Sequence, residues 1–452
     1  MDMVPLWYAH YDRRQPQNLN LNPPPLPTMS ELGPSPLSRG DDQLSVEAAR
    51  AAIARALQPI TDTETLPLTA ALGRILGADI VSPISVPAHD NSAMDGYALR
   101  GSDLRADADT VLTVAGTVHA GDVPDFVLQP GQCVRIMTGA VMPAGLDTVV
   151  PQELCSAADG VVSLRPGTLR PGDNRRLQGE DLRAGHPALT AGQRLRPADL
   201  GLIASLGIGE VTVRRRLRVA LFSTGNELRT LGQPLDAGCI YDSNRYSLMG
   251  ALARLDVETI DLGLVRDDPA ALAATLDEAI ARADVVLTSG GVSVGDADYT
   301  KDLLASRGDV AFWKVAMRPG RPFAFGPLHR ADGRSPAWLF ALPGNPVAAL
   351  VTFYAFARDG LLQLAGAHPA PLPTLRVRCT TAIRKRPGRS EFQRGIVRQA
   401  EDGQWEVRLT GTQGAGVLRS MSEANALVVL GHAQTSVAAG DAVNVWLFDG
   451  LV

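Results

Sequence analysis

The sequence predicts a multi-domain α/β protein built from a doubly wound α/β domain, a helical and extended segment, an inserted β domain and a small C-terminal β-barrel. Its 452 residues exceed the ~250–300 at which a single hydrophobic core stops growing. Apolar patterns alternate between strand and helix in one half, then change to a period of two near the C-terminus. The predicted parts are a disordered extension at 1–42, a helical and extended domain at 43–91 with 176–215, the inserted β domain at 92–175, the α/β domain at 216–372 and the barrel at 373–452.

Charge and cysteine usage exclude several classes of protein. The net charge of −5 gives no reason to expect nucleic-acid binding. No apolar run reaches ~18 residues and no signal-peptide pattern opens the chain, so no membrane partner is expected. The four cysteines form no CxxC pair, which predicts neither a zinc site nor a disulfide framework. A cytoplasmic location is therefore expected.

The helical and extended domain is predicted from apolar residues at helical spacing. Such spacing begins at Ser45 and continues to Leu57, and the pattern predicts further helix over Thr61–Ala78. A third helical stretch is predicted over Leu195–Leu206. We expect this helix to pack against the helical region at 45–78, with the inserted β domain between them in sequence. Prolines and asparagines crowd the chain before residue 42, which is why disorder is predicted there.

The inserted β domain is predicted from short alternating strands, among them Thr110–Val118 and Val134–Ile136. A polar loop containing Asp95 precedes these strands, and as an Asp-Gly turn it has an ordinary structural explanation. The domain ends in Arg175-Arg176, which is followed closely by Glu180-Asp181. This group is either a solvated hairpin end or a phosphate-clamping arginine beside a metal-binding carboxylate, and spacing alone leaves both readings open.

The α/β domain places carboxylates after three of its predicted strands. Glu227 follows the strand at 217–222, Asp267 the strand at 257–264, and Asp298 the strand that begins at Val285. Because the carboxyl ends of parallel strands border the ligand crevice of such sheets, three carboxylates there favour a binding site over three unrelated helix caps.

The loop after the Val285 strand contains Ser289, Gly290 and Gly291, and glycines let backbone N–H groups approach an anion closely. Lys314, Arg318 and Arg321 add positive charge further along, unless they are simply solvated strand ends. Carboxylates that bind Mg²⁺, together with cations that meet phosphate oxygens, suit a metal-bridged phosphate compound or a second oxyanion. No GxGxxG or P-loop motif and no Ser/His/Asp nucleophile arrangement is present, so electrostatic positioning is the expected mechanism.

Five ordered motifs closely resemble those of the molybdopterin molybdenumtransferase family, which includes the C-terminal part of gephyrin. The resemblance covers about residues 43–452. It lies in Asp90–Ala98, Arg135–Ala140, Ser223–Leu228, Ser289–Gly295 and Leu342–Pro346.

The resemblance implies that adenylylated molybdopterin and molybdate react to give molybdenum cofactor and AMP, with Mg²⁺ assisting. It implies a homodimer whose α/β pocket is completed by the inserted domain of the other subunit. It also implies molybdopterin adenylyltransferase and molybdoenzyme-maturation proteins as partners, and no nucleic acid or membrane. Carried over by motif, the catalytic residues are Asp95, Asp181, Glu227, Asp267, Asp298, Lys314 and Arg318, of which Glu227, Asp267 and Asp298 hold the metal. The residues that bind the cofactor precursor are Thr138, Arg176, Thr224, Gly225, Ser289, Gly290, Gly291, Ser293, Gly295, Arg321, Pro343, Gly344, Asn345 and Pro346.

The chain departs from the resemblance at Arg318 and Arg321, where the family often has lysine. Arginine keeps the charge but does not donate a proton near neutral pH, so we expect both residues to bind oxyanion. Two alternatives differ in class. A molybdopterin adenylyltransferase shares the Ser-Gly-Gly loop but consists of a single α/β domain. A non-catalytic gephyrin-like scaffold would bind a partner without turnover.

Overall fold

The computed structural model describes residues 43–125, 127–291, 298–370 and 372–450. The predicted disorder at 1–42 lies outside these residues, as do Ser293, Gly295 and the side chain of Asp298. Within the described chain the predicted fold class is confirmed, with an α/β domain, an inserted β domain and a C-terminal barrel.

The N-terminal segment begins with one amphipathic helix. Ser45 caps it by accepting a hydrogen bond from the backbone of Ala48 at 3.1 Å. The predicted helix over Thr61–Ala78 is wrong: one short strand and a 3₁₀ turn lie in this stretch, and a second short strand follows it. The elements are α1 (Val46–Ala56), β1 (Thr63–Pro67) and β2 (Ile80–Val81).

The inserted β domain forms a six-stranded sheet in the order β7-β4-β6-β5-β9-β8. Its two faces carry separate apolar clusters, one around Val134 and one around Leu112. The elements are β3 (Asn91–Ser92), β4 (Gly96–Leu99), β5 (Thr110–Val118), β6 (Gln132–Ile136), β7 (Thr148–Pro151), β8 (Ser156–Ala158), β9 (Val161–Leu164) and β10 (Arg175–Arg176).

The chain then returns beside its own N-terminal strands. It adds β11 (Pro187–Leu189), α2 (Pro197–Ser205) and β12 (Glu210–Arg214), and β12 pairs antiparallel with β1. The expected packing of α2 against the region at 45–78 is confirmed for the second part of that region, which is not helical, and is wrong for α1. Ile203 of α2 packs with Leu76 and Val213, whereas Val46 and Ile53 of α1 belong to the main core of the α/β domain.

The α/β domain has a six-stranded sheet in the order β16-β13-β17-β21-β20-β18. The first four strands are parallel, and β20 runs against its neighbours. The elements are β13 (Arg218–Thr224), β14 (Leu228–Arg229), β15 (Ile240–Tyr241), α3 (Ser243–Arg254), β16 (Glu258–Val265), α4 (Pro269–Arg282), β17 (Val285–Ser289), α5 (Asp298–Arg307), β18 (Ala311–Lys314), β19 (Met317–Arg318), β20 (Pro322–Leu328), β21 (Ala337–Leu342), α6 (Pro346–Thr352) and α7 (Arg358–Leu364).

One apolar stretch, Pro346–Leu364, has the length and mean hydropathy of a membrane span. It comprises α6, a π-helical turn at Phe353–Ala357 and α7. Within that window 72% is buried inside the protein, and its phenylalanines contact the strands of the sheet. It is therefore a core helix of the α/β domain.

The C-terminal region forms a closed barrel of five strands, as predicted. Pairings run from β23 through β24, β22, β26 and β25 back to β23. The short strand β19 of the preceding domain also pairs with β23, which joins the barrel to the α/β domain. The elements are β22 (Leu375–Cys379), β23 (Ser390–Gln399), β24 (Trp405–Leu409), α8 (Leu418–Glu423), β25 (Ala426–Leu430) and β26 (Ala442–Leu447).

Candidate functional site

The ends of the central parallel strands lie side by side. Thr224 of β13 pairs with Val265 of β16, while Ser289 of β17 pairs with Leu342 of β21. Ser223 and Ser289 are also directly paired. The loops that follow these four strands therefore emerge at the same edge of the sheet, where such folds bind ligands. Glu227 and Asp267 lie in two adjacent loops of this edge, as their sequence positions predicted.

A cavity opens at this edge, between the sheet and the helices α4 and α5. Its deep part is apolar and its mouth carries hydroxyls, a carboxylate and two glycines. The described residues that line it are Phe222, Thr224, Asp267, Leu272, Leu276, Thr288, Gly290, Gly291, Thr300, Leu303, Leu304, Leu339 and Ala341.

Thr224 and the two glycines form the tightest part of this cavity. The Thr224 hydroxyl is buried and has no hydrogen-bond partner among the described residues. A Cβ on Gly290 would lie 2.6 Å from the carbonyl oxygen of Thr224, and one on Gly291 would lie 3.3 Å from its hydroxyl. Both glycines have positive φ angles, 94° and 71°, so the loop needs glycine for conformation as well as for space. The unpartnered hydroxyl is available to a ligand.

The carboxylates at the mouth are held in two different ways. Asp267 accepts a hydrogen bond from the backbone of Asn226 at 3.3 Å, and Asn226 accepts one from the backbone of Asp267 at 3.2 Å. Glu227 folds back over Gly225, where a Cβ would lie 2.6 Å from a carboxylate oxygen. Glu227 is exposed, and no described side chain pairs with it. These oxygens suit Mg²⁺, which takes one or two carboxylates and keeps several waters. No group of three or more His, Cys, Asp or Glu side chains with the spacing of a metal site occurs within the described ranges.

The loop after β21 closes the other side of the glycine turn. Pro343 is buried, whereas Gly344 and Asn345 are exposed. The backbone of Gly290 donates to the carbonyl of Leu342 at 3.1 Å, which ties the two loops together. Asn345 occupies the N-cap position of α6, but its side chain makes no capping hydrogen bond. Pro346 is the first residue of the helix.

The predicted cations lie apart from the carboxylates. Lys314 ends β18, four strand positions from β13, which is about 19 Å at ~4.8 Å per strand. Arg318 and Arg321 follow it and are exposed. None of the three has an ion pair or a side-chain hydrogen bond within the part of the chain that the structure describes. This end of the sheet edge therefore carries positive charge that the described residues do not neutralise.

Arg394 of the barrel joins this positive end and was missed by the sequence analysis. It is 0% exposed, yet its described partners are neutral: the Ser420 hydroxyl at 2.9 Å and the carbonyls of Gly414 at 2.9 Å and Thr412 at 3.4 Å. Burial lowers the pKa of Arg394 to about 10, and the nearby charge of Arg318 adds to this effect. A buried guanidinium without a carboxylate is costly unless an anion meets it.

A sequence signal for Arg394 did exist. It stands between Phe392 and Ile396 at a spacing of two, so it shares the face of two apolar residues in a strand. The loop that carries Gly414 reaches the site, because the carbonyl of Ala415 accepts from the backbone of Val347 at 3.0 Å. Arg394 is thus connected to the start of α6 and to the Pro343–Pro346 loop.

The predicted residues of the inserted domain form a separate group. Thr138 donates to one carboxylate oxygen of Asp95 from its hydroxyl at 2.6 Å and from its backbone at 2.7 Å. These hydrogen bonds hold the pKa of Asp95 below its ordinary value. Arg176 pairs with Glu180 at 2.6 Å, and the backbone of Asp181 donates to Val86 at 3.1 Å. The side-chain hydrogen bonds of Asp95, Thr138 and Arg176 stay within residues 95–180 and include no described residue of the strand-end loops.

The chain matches three family descriptions in order. The MoeA N-terminal region (domain I and II) matches residues 44–207, the probable molybdopterin binding domain matches 220–363, and the MoeA C-terminal region (domain IV) matches 376–448.

Named relatives share nearly the whole chain. The molybdopterin molybdenumtransferase of Haemophilus influenzae is 42% identical over 411 residues, covering 90% of this chain and 100% of that protein. A protein of the same name from Nostoc sp. is 40% identical over 390 residues, covering 85% and 88%. The solved structure of the molybdopterin biosynthesis moeA protein from Pyrococcus horikoshii has a TM-score of 0.76 at 28% identity, covering 90% of this chain and 100% of that chain. The chain therefore belongs to the molybdopterin molybdenumtransferase family and is a transferase of molybdenum cofactor biosynthesis.

Proposed function

We propose that the protein inserts molybdate into adenylylated molybdopterin and releases AMP, giving molybdenum cofactor. The observation that carries this proposal is the division of charge along one sheet edge. Carboxylates lie at the β13–β16 end, and unneutralised cations lie at the β18 end. The substrate is divided in the same way. Its adenylyl phosphoanhydride would lie at the carboxylate end, and its dithiolene, which receives the oxyanion, would lie at the cationic end. The cavity that Asp267 and Thr224 border lies at the carboxylate end and supports ligand binding there.

Mg²⁺ fits the carboxylate end. Glu227 and Asp267 would hold it, together with Asp298, and the bound ion would neutralise charge on the phosphoanhydride oxygens. Thr224, Gly225, Ser289, Gly290 and Gly291 would bind the precursor, and we propose the same role for Ser293 and Gly295. The Thr224 hydroxyl, which has no partner among the described residues, supports this assignment. The protein's own groups thus orient the phosphoanhydride and exclude water from one face of it.

Molybdate fits the cationic end. Lys314, Arg318 and Arg321 are unpaired among the described residues, and Arg394 is buried with neutral partners beside Arg318. Guanidinium groups bind tetrahedral oxyanions through paired N–H donors. Arg318 therefore serves as an oxyanion ligand in the position where lysine is common, and Pro343, Gly344, Asn345 and Pro346 shape the adjacent wall.

The site is completed by a second copy of the chain. Asp95, Thr138 and Arg176 make their side-chain hydrogen bonds within residues 95–180, and a homodimer would supply them, with Asp181, to the strand ends of the other subunit. Large apolar side chains are exposed beside Glu227, which supports a covered surface there: Leu231, Leu235, Ile240, Tyr241 and Tyr246. We further propose a cytoplasmic location, a supply of substrate from molybdopterin adenylyltransferase, and delivery of product to molybdoenzyme-maturation proteins.

The test is AMP release from purified protein given adenylylated molybdopterin, Mg²⁺ and molybdate. We expect molybdate-dependent release that is lost in Asp267→Ala and Asp298→Ala and retained in Arg318→Lys. Asp268→Ala is the matched control. Asp268 neighbours Asp267 but caps α4, accepting from the backbone of Ala271 at 2.8 Å. Binding without AMP release in the unmodified protein would refute the transferase mechanism and favour a scaffold.

A further inference from the structure

The first turn of α3 lies beneath three of the strand ends that form the site. Alternation along the strands places Thr224 and Thr288 on the cavity side, whereas Ser223 and Ser289 point to the opposite side, toward α3. The helix α3 therefore approaches the loops from behind and does not line the cavity.

Asn244 connects two of these strand ends through one amide group. Its Nδ2 donates to the Ser289 hydroxyl at 2.7 Å and to the Gly344 carbonyl at 2.7 Å. The residue is 8% exposed, so water does not readily replace these bonds. An amide NH₂ has two protons, and both are used to join the end of β17 to the loop after β21.

Asp242 connects the third strand end to the same turn. One carboxylate oxygen accepts from the Ser223 hydroxyl at 3.0 Å and from the backbone of Arg245 at 3.2 Å, which caps α3. Asp242 is 1% exposed. The start of α3 is thereby fixed to β13, and Asn244 extends that fixed point to β17 and to the loop after β21.

The two groups that Asn244 joins flank the glycine turn. Ser289 immediately precedes Gly290, and a Cβ on Gly344 would lie only 3.8 Å from the Cα of Gly290. Asn244 thus adds a side-chain connection behind the sheet to the backbone hydrogen bond by which Gly290 is joined to Leu342.

We infer that Asn244 is a positioning residue, which sets the distance between the glycine turn and the Pro343–Pro346 loop for the transfer reaction. This inference rests on the proposed function for its effect on turnover, but not for its effect on the loops. A displacement of about 1 Å at a reacting group can lower a rate ~100-fold. Loss of the Asn244 bonds is therefore expected to lower kcat for AMP release about 10- to 100-fold, with a smaller change in KM.

The experiment compares Asn244→Ala and Asn244→Asp with a matched control, Gln363→Ala. The Gln363 amide also donates two hydrogen bonds, to the carbonyls of Ala54 and Leu57 at 2.8 Å each. It lies at the far end of the α6–α7 helix, 17 residues beyond Pro346, or roughly 25 Å along the axis. Asp has the shape of Asn, but its carboxylate provides no proton for the Gly344 carbonyl. The Asn244→Asp variant therefore tests the loss of hydrogen bonds without a loss of packing volume.

Amide hydrogen exchange measures the local stability of the two loops and needs no substrate. We expect faster exchange of the peptides that contain Gly290 and Gly344 in both Asn244 variants, and no change there in Gln363→Ala. We expect kcat for AMP release to fall in both Asn244 variants and to stay unchanged in Gln363→Ala. Unchanged exchange, or turnover equal to that of Gln363→Ala at the same folded fraction, would overturn the inference. If loop exchange is faster in the Asn244 variants but neither the unmodified protein nor any variant releases AMP, the structural role of Asn244 in the loops would stand and the proposed function would be refuted.

Discussion

The carbonyl oxygen of Thr224 lies 2.6 Å from the point where a Cβ would stand on Gly290. Two strand-end loops therefore meet at backbone distance, and the contact leaves no room for any side chain at position 290. Since the turn also has a φ of 94° there, alanine would be strained by its conformation and by the clash.

We therefore predict that Gly290→Ala lowers stability by more than about 2 kcal/mol and abolishes AMP release. Thermal unfolding and the AMP assay measure both effects. Gly201→Ala is the control, because a Cβ on this glycine of α2 would contact nothing within 4 Å and alanine favours a helix interior by roughly 0.5–1 kcal/mol. A Gly290→Ala variant that melts and turns over like the unmodified protein would show that the close approach is unimportant.

Local sequence was sufficient to predict this sheet edge. Val285–Ser289 is wholly buried in the structure, and an apolar run of that length followed by glycines predicts a buried parallel strand that leads into a ligand loop. Asp267 and Glu227 were placed at neighbouring strand ends for the same reason.

Features that depend on distant parts of the chain were missed or wrong. Thr63–Pro67 resembles a helix in isolation, but it pairs with β12, about 150 residues away. The environment of Arg394 is created by Ser420 and by a loop at 411–417, and that of Asn244 by two separate strand ends. Burial of a polar side chain depends on such tertiary contacts, which a local pattern does not contain.

Arg394 provides a prediction about molybdate itself. Burial lowers the pKa of Arg394 to about 10, but this value is still well above neutral pH, so Arg394 remains charged. An oxyanion would offset the cost of that buried charge. Molybdate should therefore raise the unfolding temperature of the unmodified protein, and this gain should be lost in Arg394→Gln. The KM for molybdate in AMP release should rise at least about tenfold.

The control for Arg394 is Arg398→Gln on the same strand. Arg398 is exposed and pairs with Glu406 at 2.9 Å, so its removal should leave the molybdate effect intact. Equal stabilisation by molybdate in both variants would exclude Arg394 from the oxyanion site.

The pair Arg215–Asp284 predicts how stability depends on pH. Arg215 donates to both carboxylate oxygens of Asp284, at 2.7 and 2.9 Å. Burial alone would raise the pKa of Asp284, but hydrogen bonds from Arg215 and the Arg218 backbone outweigh it, so the net pKa is lowered. The stabilisation is thus fully present above the ordinary carboxyl pKa of about 3.9, and it is lost as pH falls through the lower folded value.

Asp284→Asn should destabilise the protein by about 2–3 kcal/mol near pH 7, below the ~3–5 of a fully buried pair. The difference from the unmodified protein should shrink as the pH falls below about 4, because both proteins then lack the charge. Thermal unfolding across this pH range provides the measurement. Asp332→Asn, which breaks an exposed pair with Arg334, should leave stability nearly unchanged across this pH range because solvent screens exposed pairs. A constant difference at all pH values would show that the Asp284 charge is not the cause.

The proposed site between two subunits predicts recovery of activity from two inactive proteins. In a homodimer whose sites combine the α/β domain of one subunit with the inserted domain of the other, Asp95→Asn and Asp267→Asn each disable both sites. Random pairing of the two variants yields about half heterodimers, in which one site carries both changes and the other carries none. Co-expression should therefore restore about a quarter of the unmodified turnover. A mixture of Asp95→Asn with Asp181→Asn should stay inactive, because every site then contains one altered inserted domain. Recovery would not occur if Asp95 and Asp267 served a site within a single chain, since each subunit would still lack one of them.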